Sequence, residues 1–372
     1  MRARSRAALL AAGACLMLAA AACLMLAAAG CGSGSSSSSQ SVATSPAQIS
    51  GQLKVYAYED GFTPGYVKSF KAEYPKVDLQ TQAFSSSTSA LTKLRTGSVS
   101  PDVINTCVDE NAAEEVRLGV FEPLDVSKIP NWKYIDPELK KLPGVMSDGK
   151  VYVVPVDAGD GGIQYDPAHV SPAPTSWKDL FDPRYKGEAS IEDNPVTAID
   201  IGALAIGITD PLHMDSAQLE QVKNFLIAHK SQFRTWWESD TDEEQLYKTG
   251  EIWISSGYRD NAFTVTKNGV PNNFVLPSEG QLEWTCGYGI SAHAHNLSAA
   301  YAMINWYASV AAETYEANTW HYRIANLKAK AQLPHKILVL SGNNQKLSHP
   351  IPASEPSNYA EWVQVWQDVK SG

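Results

Sequence analysis

The stretch "LKVYAYEDGFTPGYVKSFKAEYPKVDLQTQAF", residues 53–84, changes its apolar period twice. Residues 53–58 alternate and are rich in Val and Tyr, which predicts a strand. Val67, Phe70 and Tyr74 then share one helical face, and Pro75 ends that helix. "VDLQTQAF" (77–84) returns to strand character. The pattern continues beyond it. "STSALTKLRTG" reads as a helix stopped by Gly97, "PDVINTC" (101–107) as a strand, and "NAAEEVRLG" (111–119) as a helix. A β-α-β-α-β-α alternation predicts an α/β fold with a mostly parallel sheet flanked by helices. Ligands of such sheets meet the loops beyond the strands' carboxyl ends. Here those loops are "YEDGF" (58–62), "FSSST" (84–88) and "CVDEN" (107–111).

Downstream, "KVYVVPVDAGDGGIQYD" (150–166) reads as strand, Gly-rich bend and strand, a crossover into a second lobe. That lobe holds "SWKDLFDPRYKG", the strand "EASIED" and the helix "NPVTAIDIGALAIGI", with Asp193 as its expected N-cap and Pro195 in its first turn. "EWTCGYGISA" (283–292) leads back to the first lobe, and "LSAAYAMINWYASVAAETYEANT" (297–319) reads as one long amphipathic helix. The expected organisation is a lobe over 51–155 with about 286–320 returning to it. A second lobe covers 156–285 and takes part of 321–372.

The N-terminus reads as an export segment. Arg2, Arg4 and Arg6 precede an Ala/Leu-rich run in which "ACLMLAAA" occurs twice in tandem, ending at "LAAAGC". Residues 1–30 are therefore expected to be a signal peptide of lipoprotein type, with Cys31 the acylated residue and 31–50 a Ser/Gly-rich tether. A retained membrane anchor is the alternative, because the doubled run approaches spanning length. The chain beyond Cys31 is longer than the roughly 250–300 residues at which one core stops growing, hence two lobes. Loss of the three arginines makes the formal charge of −10 three units more negative. Such a balance disfavours nucleic acid and suits a cationic or neutral ligand. Past Cys31 only Cys107 and Cys286 remain, and two thiols in an oxidising compartment argue for a disulfide.

Motifs of catalysis are missing. There is no G-x-S-x-G, no G-x-x-x-x-G-K-[ST], no H-E-x-x-H and no C-x-x-C. His293 and His295 form a weak "HAH" with no acid nearby in sequence. Asp240 and Asp242 fit a solvated helix start as well as a glycosidase pair. No catalytic residue, metal or cofactor is expected.

Three segments carry a family likeness: "YEDGFTPGYVKSFKAEYP" (58–75), "SWKDLFDPRYKGEASIED" (176–193) and the run from "SDTDEEQLYKTGE" to "SAHAHN" (239–296). Their order and spacing resemble the spermidine/putrescine-binding proteins of bacterial ABC importers. The resemblance implies a two-lobed periplasmic-binding-protein-like fold of type II, in which a hinge closes two lobes on a small solute. It also implies delivery to a permease and its ATPase, as an extracytoplasmic, lipid-anchored monomer. Carried over by position, Tyr58, Tyr258 and Trp284 stand where the family has cleft aromatics, and Tyr322 matches an aromatic of the second hinge region. Asp193 matches an acid that receives an amine. Cys107 falls where a small hydroxyl residue contacts ligand. Two family acids are absent, replaced by Val196 and Cys286.

An alkylammonium ligand needs ring faces for cation–π contact and carboxylates at its charged ends. Glu59, Asp109, Asp157 and Asp160 are candidates to replace the missing acids. On the family's layout Cys107 and Cys286 both approach ligand from the first lobe, so the bridge would lie between them and favour a shorter, less charged solute than spermidine. The expectation is a receptor for a small amine-bearing solute. A sugar, opine or amino-acid receptor, a ligand sensor and an exported enzyme stand as alternatives.

Overall fold

The computed structural model describes residues 42–85, 87–344, 350–352 and 356–372. The expected signal peptide, Cys31 and most of the tether lie outside them. The described residues of Ser41–Gly372 form a single compact unit. Among them no helix is long and apolar enough to cross a membrane.

The opening alternation folds as its periods dictate. β1 (Gly51–Ala57), β2 (Val77–Ala83) and β3 (Val103–Cys107) are parallel, separated by α1 (Lys68–Glu73) and α2 (Ser87–Arg95), with α3 (Ala112–Arg117) next in the chain. A small hairpin, β4 (Met146–Ser147) and β5 (Lys150–Val151), precedes the long strand β6 (Val153–Tyr165). β7 (Ala189–Glu192), α4 (Pro195–Ala205), α5 (Ser216–His229), β8 (Phe233–Trp237), α6 (Asp240–Thr249), β9 (Ile254–Tyr258) and α7 (Arg259–Lys267) build the next region. The chain then runs through β10 (Asn273–Val275) into β11 (Gln281–Ile290), α8 (Leu297–Tyr307), α9 (Val310–Thr319) and β12 (Arg323–Ile324). α10 (Leu327–Lys330), α11 (His335–Leu340), β13 (Pro350–Pro352) and α12 (Tyr359–Ser371) complete it.

Among the described residues eleven of these strands form one sheet with the path β2-β1-β3-β11-β6-β9-β7-β8, β10 and β12 pairing with β6 and β13 with β11 off that path, while β4 and β5 pair separately. β3, β11, β6 and β9 are mutually antiparallel along that path, while the outer strands pair in parallel. Two separate cores sit on it. Leu53, Val55, Phe70, Ile304 and Tyr307 belong to the first, and Ile163, Trp177, Ile199, Leu204 and Trp366 to the second. β6 contributes Val154 and Val156 to the first and Ile163 and Tyr165 to the second, so one strand joins the two. This is the mixed α/β, two-lobed arrangement of a type II binding-protein fold. Trp362, Trp366 and Val369 of α12 pack in the second core.

Three local expectations need correction. The "DAGDGG" segment does not bend: it lies inside β6, and its glycines instead make room for rings and neighbouring backbone. The N-cap of α4 is Asn194, whose side chain accepts from the Val196 and Thr197 amides, so Asp193 lies one residue too early to cap. The stretch 297–319 is two helices, because Ser309 accepts from the Ala312 amide and starts α9 afresh.

Candidate functional site

Register places the site. On β6, Asp157, Gly159 and Gly161 point to one face, since side chains alternate along a strand. Their partners are Cys286, Trp284 and Leu282 on β11, and Tyr258 of β9 opposes Gly161. Glycine is required beneath the ring: a Cβ on Gly159 would stand 2.2 Å from Trp284 Cε2. Trp284 meets Tyr322 edge-on, with ring centroids 5.2 Å apart.

The first-lobe loops bring acids to this face. Tyr322 Oη donates to Asp60 Oδ2 at 3.1 Å, and the Gly61 amide donates to Asp60 Oδ1 at 2.9 Å. The loop is held from below, where Tyr307 Oη donates to the Gly61 carbonyl at 2.7 Å and stacks on Tyr288 at 3.6 Å. Tyr58 Oη donates to both oxygens of Glu110, at 2.9 and 3.0 Å. Opposite, Tyr258 Oη donates to Glu192 Oε2 at 2.7 Å, and Thr197 Oγ1 donates to the same oxygen at 2.9 Å. Glu192 and Asp109 both act on the Tyr58 and Tyr258 phenols, so the two rings share one acidic neighbourhood.

These carboxyls are electrostatically frustrated. Burial, then the charge of Glu110, holds Asp109 well above the usual carboxylate range. Burial and then Asp60 push Asp157 to about 8. Burial raises Glu192 to about 7 against the pull of its Tyr258 and Thr197 hydrogen bonds. Asp260 is raised by burial and then by Asp240, and Asp60 by burial. Asp240 is raised to about 6 by desolvation and Asp60, although its side chain keeps contact with solvent. The charges acting most strongly on these acids are other carboxylates. Asp109 and Asp157 each keep one buried oxygen without a hydrogen-bond partner.

The other face of β6 is the opposite case. Asp160, one residue out of phase with Asp157, is buried and paired to Arg259 at 2.9 Å and Arg323 at 3.1 Å. Glu283, its register partner, also binds Arg323. Asp160 and Glu283 are thus paired with cations from the protein itself.

Of the expected ligand set, Tyr58, Asp109, Asp157, Tyr258, Trp284 and Tyr322 gather around this face. Two do not. Asp193 is held by Trp366 Nε1 at 2.7 Å and Lys370 Nζ at 2.8 Å, so the acid beside Tyr258 is Glu192, on the other side of the strand end. Glu59 is exposed, and its neighbour Asp60 is the acid that Tyr322 binds. Sequence reasoning also missed Glu110 and Asp260, although Glu110 stood inside a loop already marked as ligand-facing. Cys107 and Cys286 are direct register partners on β3 and β11 and form a disulfide, with Cα atoms 3.9 Å apart.

Known proteins agree with this architecture. The profile of the bacterial extracellular solute-binding protein family matches residues 65–337. The spermidine/putrescine-binding periplasmic protein of Escherichia coli (strain K12) is 25% identical over 318 residues, covering 83% of this chain and 86% of that one. The corresponding protein 1 of Haemophilus influenzae is 26% identical, covering 80% and 82%. Among solved structures, the spermidine/putrescine transporter substrate-binding protein of Streptococcus pneumoniae superposes with a TM-score of 0.75 at 21% identity, covering 87% of this chain and 99% of that one. A binding protein of A. tumefaciens B6, solved with glucopine, gives 0.73 at 17%, covering 86% and 100%. These relatives bind solutes and are not enzymes, and the likeness read from the sequence is borne out. This chain belongs to the bacterial extracellular solute-binding proteins.

Proposed function

We propose that the chain captures a small organic polycation, a diamine or polyamine, between its two lobes and hands it to an ABC permease. The carrying observation is the face of β6 that bears Asp157, Gly159 and Gly161. There Asp60, Asp109, Glu110, Glu192, Asp240 and Asp260 gather around Tyr58, Tyr258, Trp284 and Tyr322, and the charges that act on Asp60, Asp109, Glu192, Asp240 and Asp260 are negative. Rings supply apolar and cation–π contact along an alkyl chain, at roughly 0.5–2 kcal/mol each. Carboxylates supply charge-assisted hydrogen bonds to its ends. An opine or amino acid would need a cation for its own carboxylate, and Arg259 and Arg323, next in sequence to Tyr258 and Tyr322, are spent on Asp160 and Glu283.

Like charge also supplies the switch. Asp60, Asp109 and Glu110 belong to the lobe of 51–155 and 286–320. Glu192, Asp240 and Asp260 belong to the lobe of 156–285, with part of 321–372 packed on it. Without a cation these sets repel one another, and a bridging cation stabilises closure by its differential affinity for the closed state. The relatives are named for spermidine and putrescine, which suits this chemistry. Acylation at Cys31 and action as a monomer complete the proposal. The test is calorimetric titration with putrescine, spermidine, glucose and 4-aminobutyrate. Saturable binding of the amines alone is expected, and binding of glucose without either amine overturns the assignment.

A further inference from the structure

The disulfide corner carries a second set of ligands. Cys107 Sγ, Cys286 Sγ and a carboxylate oxygen of Asp109 all lie within 4.8 Å of one another. Cys107 is buried, while Cys286 and Asp109 are partly exposed. One oxygen of Asp109 has no hydrogen-bond partner. With the sulfurs joined to each other, no thiolate is available and the three atoms hold nothing. Parting the sulfurs changes that.

We propose that reduction of Cys107–Cys286 creates a soft divalent-metal site in which both thiolates and Asp109 ligate a zinc-class ion. A dithiol reductant supplies the two electrons. The protein S–S bond breaks, the reductant closes its own S–S bond, and its two protons pass to Cys107 and Cys286. The metal ion then forms two metal–sulfur bonds and displaces those two protons to solvent. Tetrahedral zinc, with bonds of about 2.3 Å to sulfur and about 2.1 Å to oxygen, separates its ligand atoms by about 3.5–3.8 Å, inside the observed span. Cross-strand register sets both cysteines side by side on antiparallel strands, so the sulfurs part by side-chain rotation while the ladder stays intact. A carboxylate beside two thiolates favours zinc over copper(I), which prefers sulfur alone. Three protein ligands leave the fourth position open towards the cleft. The surrounding acids concentrate cations at this point. Redox state thus decides whether the corner is a sulfur bridge or a metal site, and this holds whatever solute the cleft takes.

The test uses the full chain with Cys15→Ser, Cys23→Ser and Cys31→Ser, so that no other thiol competes. Oxidised protein, and protein reduced by a phosphine and desalted without oxygen, are titrated with zinc against a chromophoric chelator and weighed by native mass spectrometry. One zinc per reduced chain and none per oxidised chain is the expected result. Cobalt in place of zinc should give a sulfur-to-metal charge-transfer band and intense tetrahedral ligand-field bands. Asp109→Asn should weaken zinc at least about tenfold, the size of effect seen even for lesser changes around metal sites. Equal uptake by both redox forms, no uptake by the reduced form, or a cobalt spectrum without the sulfur band overturns the proposal. The cobalt spectrum of the unsubstituted site keeps the test decisive should Asp109→Asn fail to fold.

Discussion

If the site captures a cation as proposed, capture must release protons, and the size of the effect is set by Asp157 and Glu192. Asp157 sits at about 8 and Glu192 at about 7, both raised chiefly by burial. A diamine stays doubly charged between pH 6 and 8, because alkylamines titrate near 10. It binds the ionised carboxylates, so binding strengthens as pH rises through their pKa values. Linkage gives a ceiling of about 50-fold from Asp157 and about tenfold from Glu192 between pH 6 and pH 8, or about 500-fold together. Asp240 adds little, since its side chain meets solvent. The assay is putrescine titration at half-unit pH steps, with proton release read from the heat in buffers of different ionisation enthalpy. Asp157→Asn provides the control. It should match the unsubstituted chain near pH 6, where Asp157 is protonated, and fall behind as pH rises. Affinity that is flat or declines from pH 6 to 8, or an Asp157→Asn curve parallel to the reference throughout, would refute the reasoning.

Three other expectations concern the frame around the site. Gly159→Ala should displace the Trp284 indole, 2.2 Å from the new methyl position, and weaken cation binding at least as much as Trp284→Ala; tryptophan fluorescence and calorimetry report both, and an unchanged affinity would show that the ring does not touch the solute. Asp200 is fully buried in α4 with both carboxylate oxygens unpartnered, and burial holds it well above the carboxylate range. The folded chain therefore keeps a proton that the unfolded chain sheds above about pH 4, and stability falls as pH rises from there until the folded group ionises. Asp200→Ala should flatten that fall and stabilise by about 1–3 kcal/mol at neutral pH less the cavity cost, checked by urea unfolding at pH 4.5 and 7.5. Removing the disulfide, which spans 179 residues, by Cys107→Ser with Cys286→Ser should cost at most about 5 kcal/mol in the chain-entropy account. A loss well beyond that in chemical unfolding would mean the bridge also shapes the folded state.

Residue periodicity by itself determined the alternating β-α order over 53–119, and the order of three family-like segments determined the two-lobed class. Both are carried by local sequence: an apolar period of two or 3.6 acts within a few residues, and tertiary packing did not overturn it. Tertiary structure decided which acid of each adjacent pair faces the cleft. Glu59 and Asp60, or Glu192 and Asp193, are chemically alike, and a strand or turn sends neighbours to opposite sides. The registers of β6 with β11 and β9 settled that Asp157 lies with Trp284 and Tyr258. The same registers put Asp160 among arginines distant in sequence. They also turned "DAGDGG" from an expected bend into a floor for rings, because the need for glycine there arises from Trp284, which lies far from it along the chain. Charge that is paired and charge that awaits a ligand look identical in a sequence; only the placement of the counter-ions tells them apart.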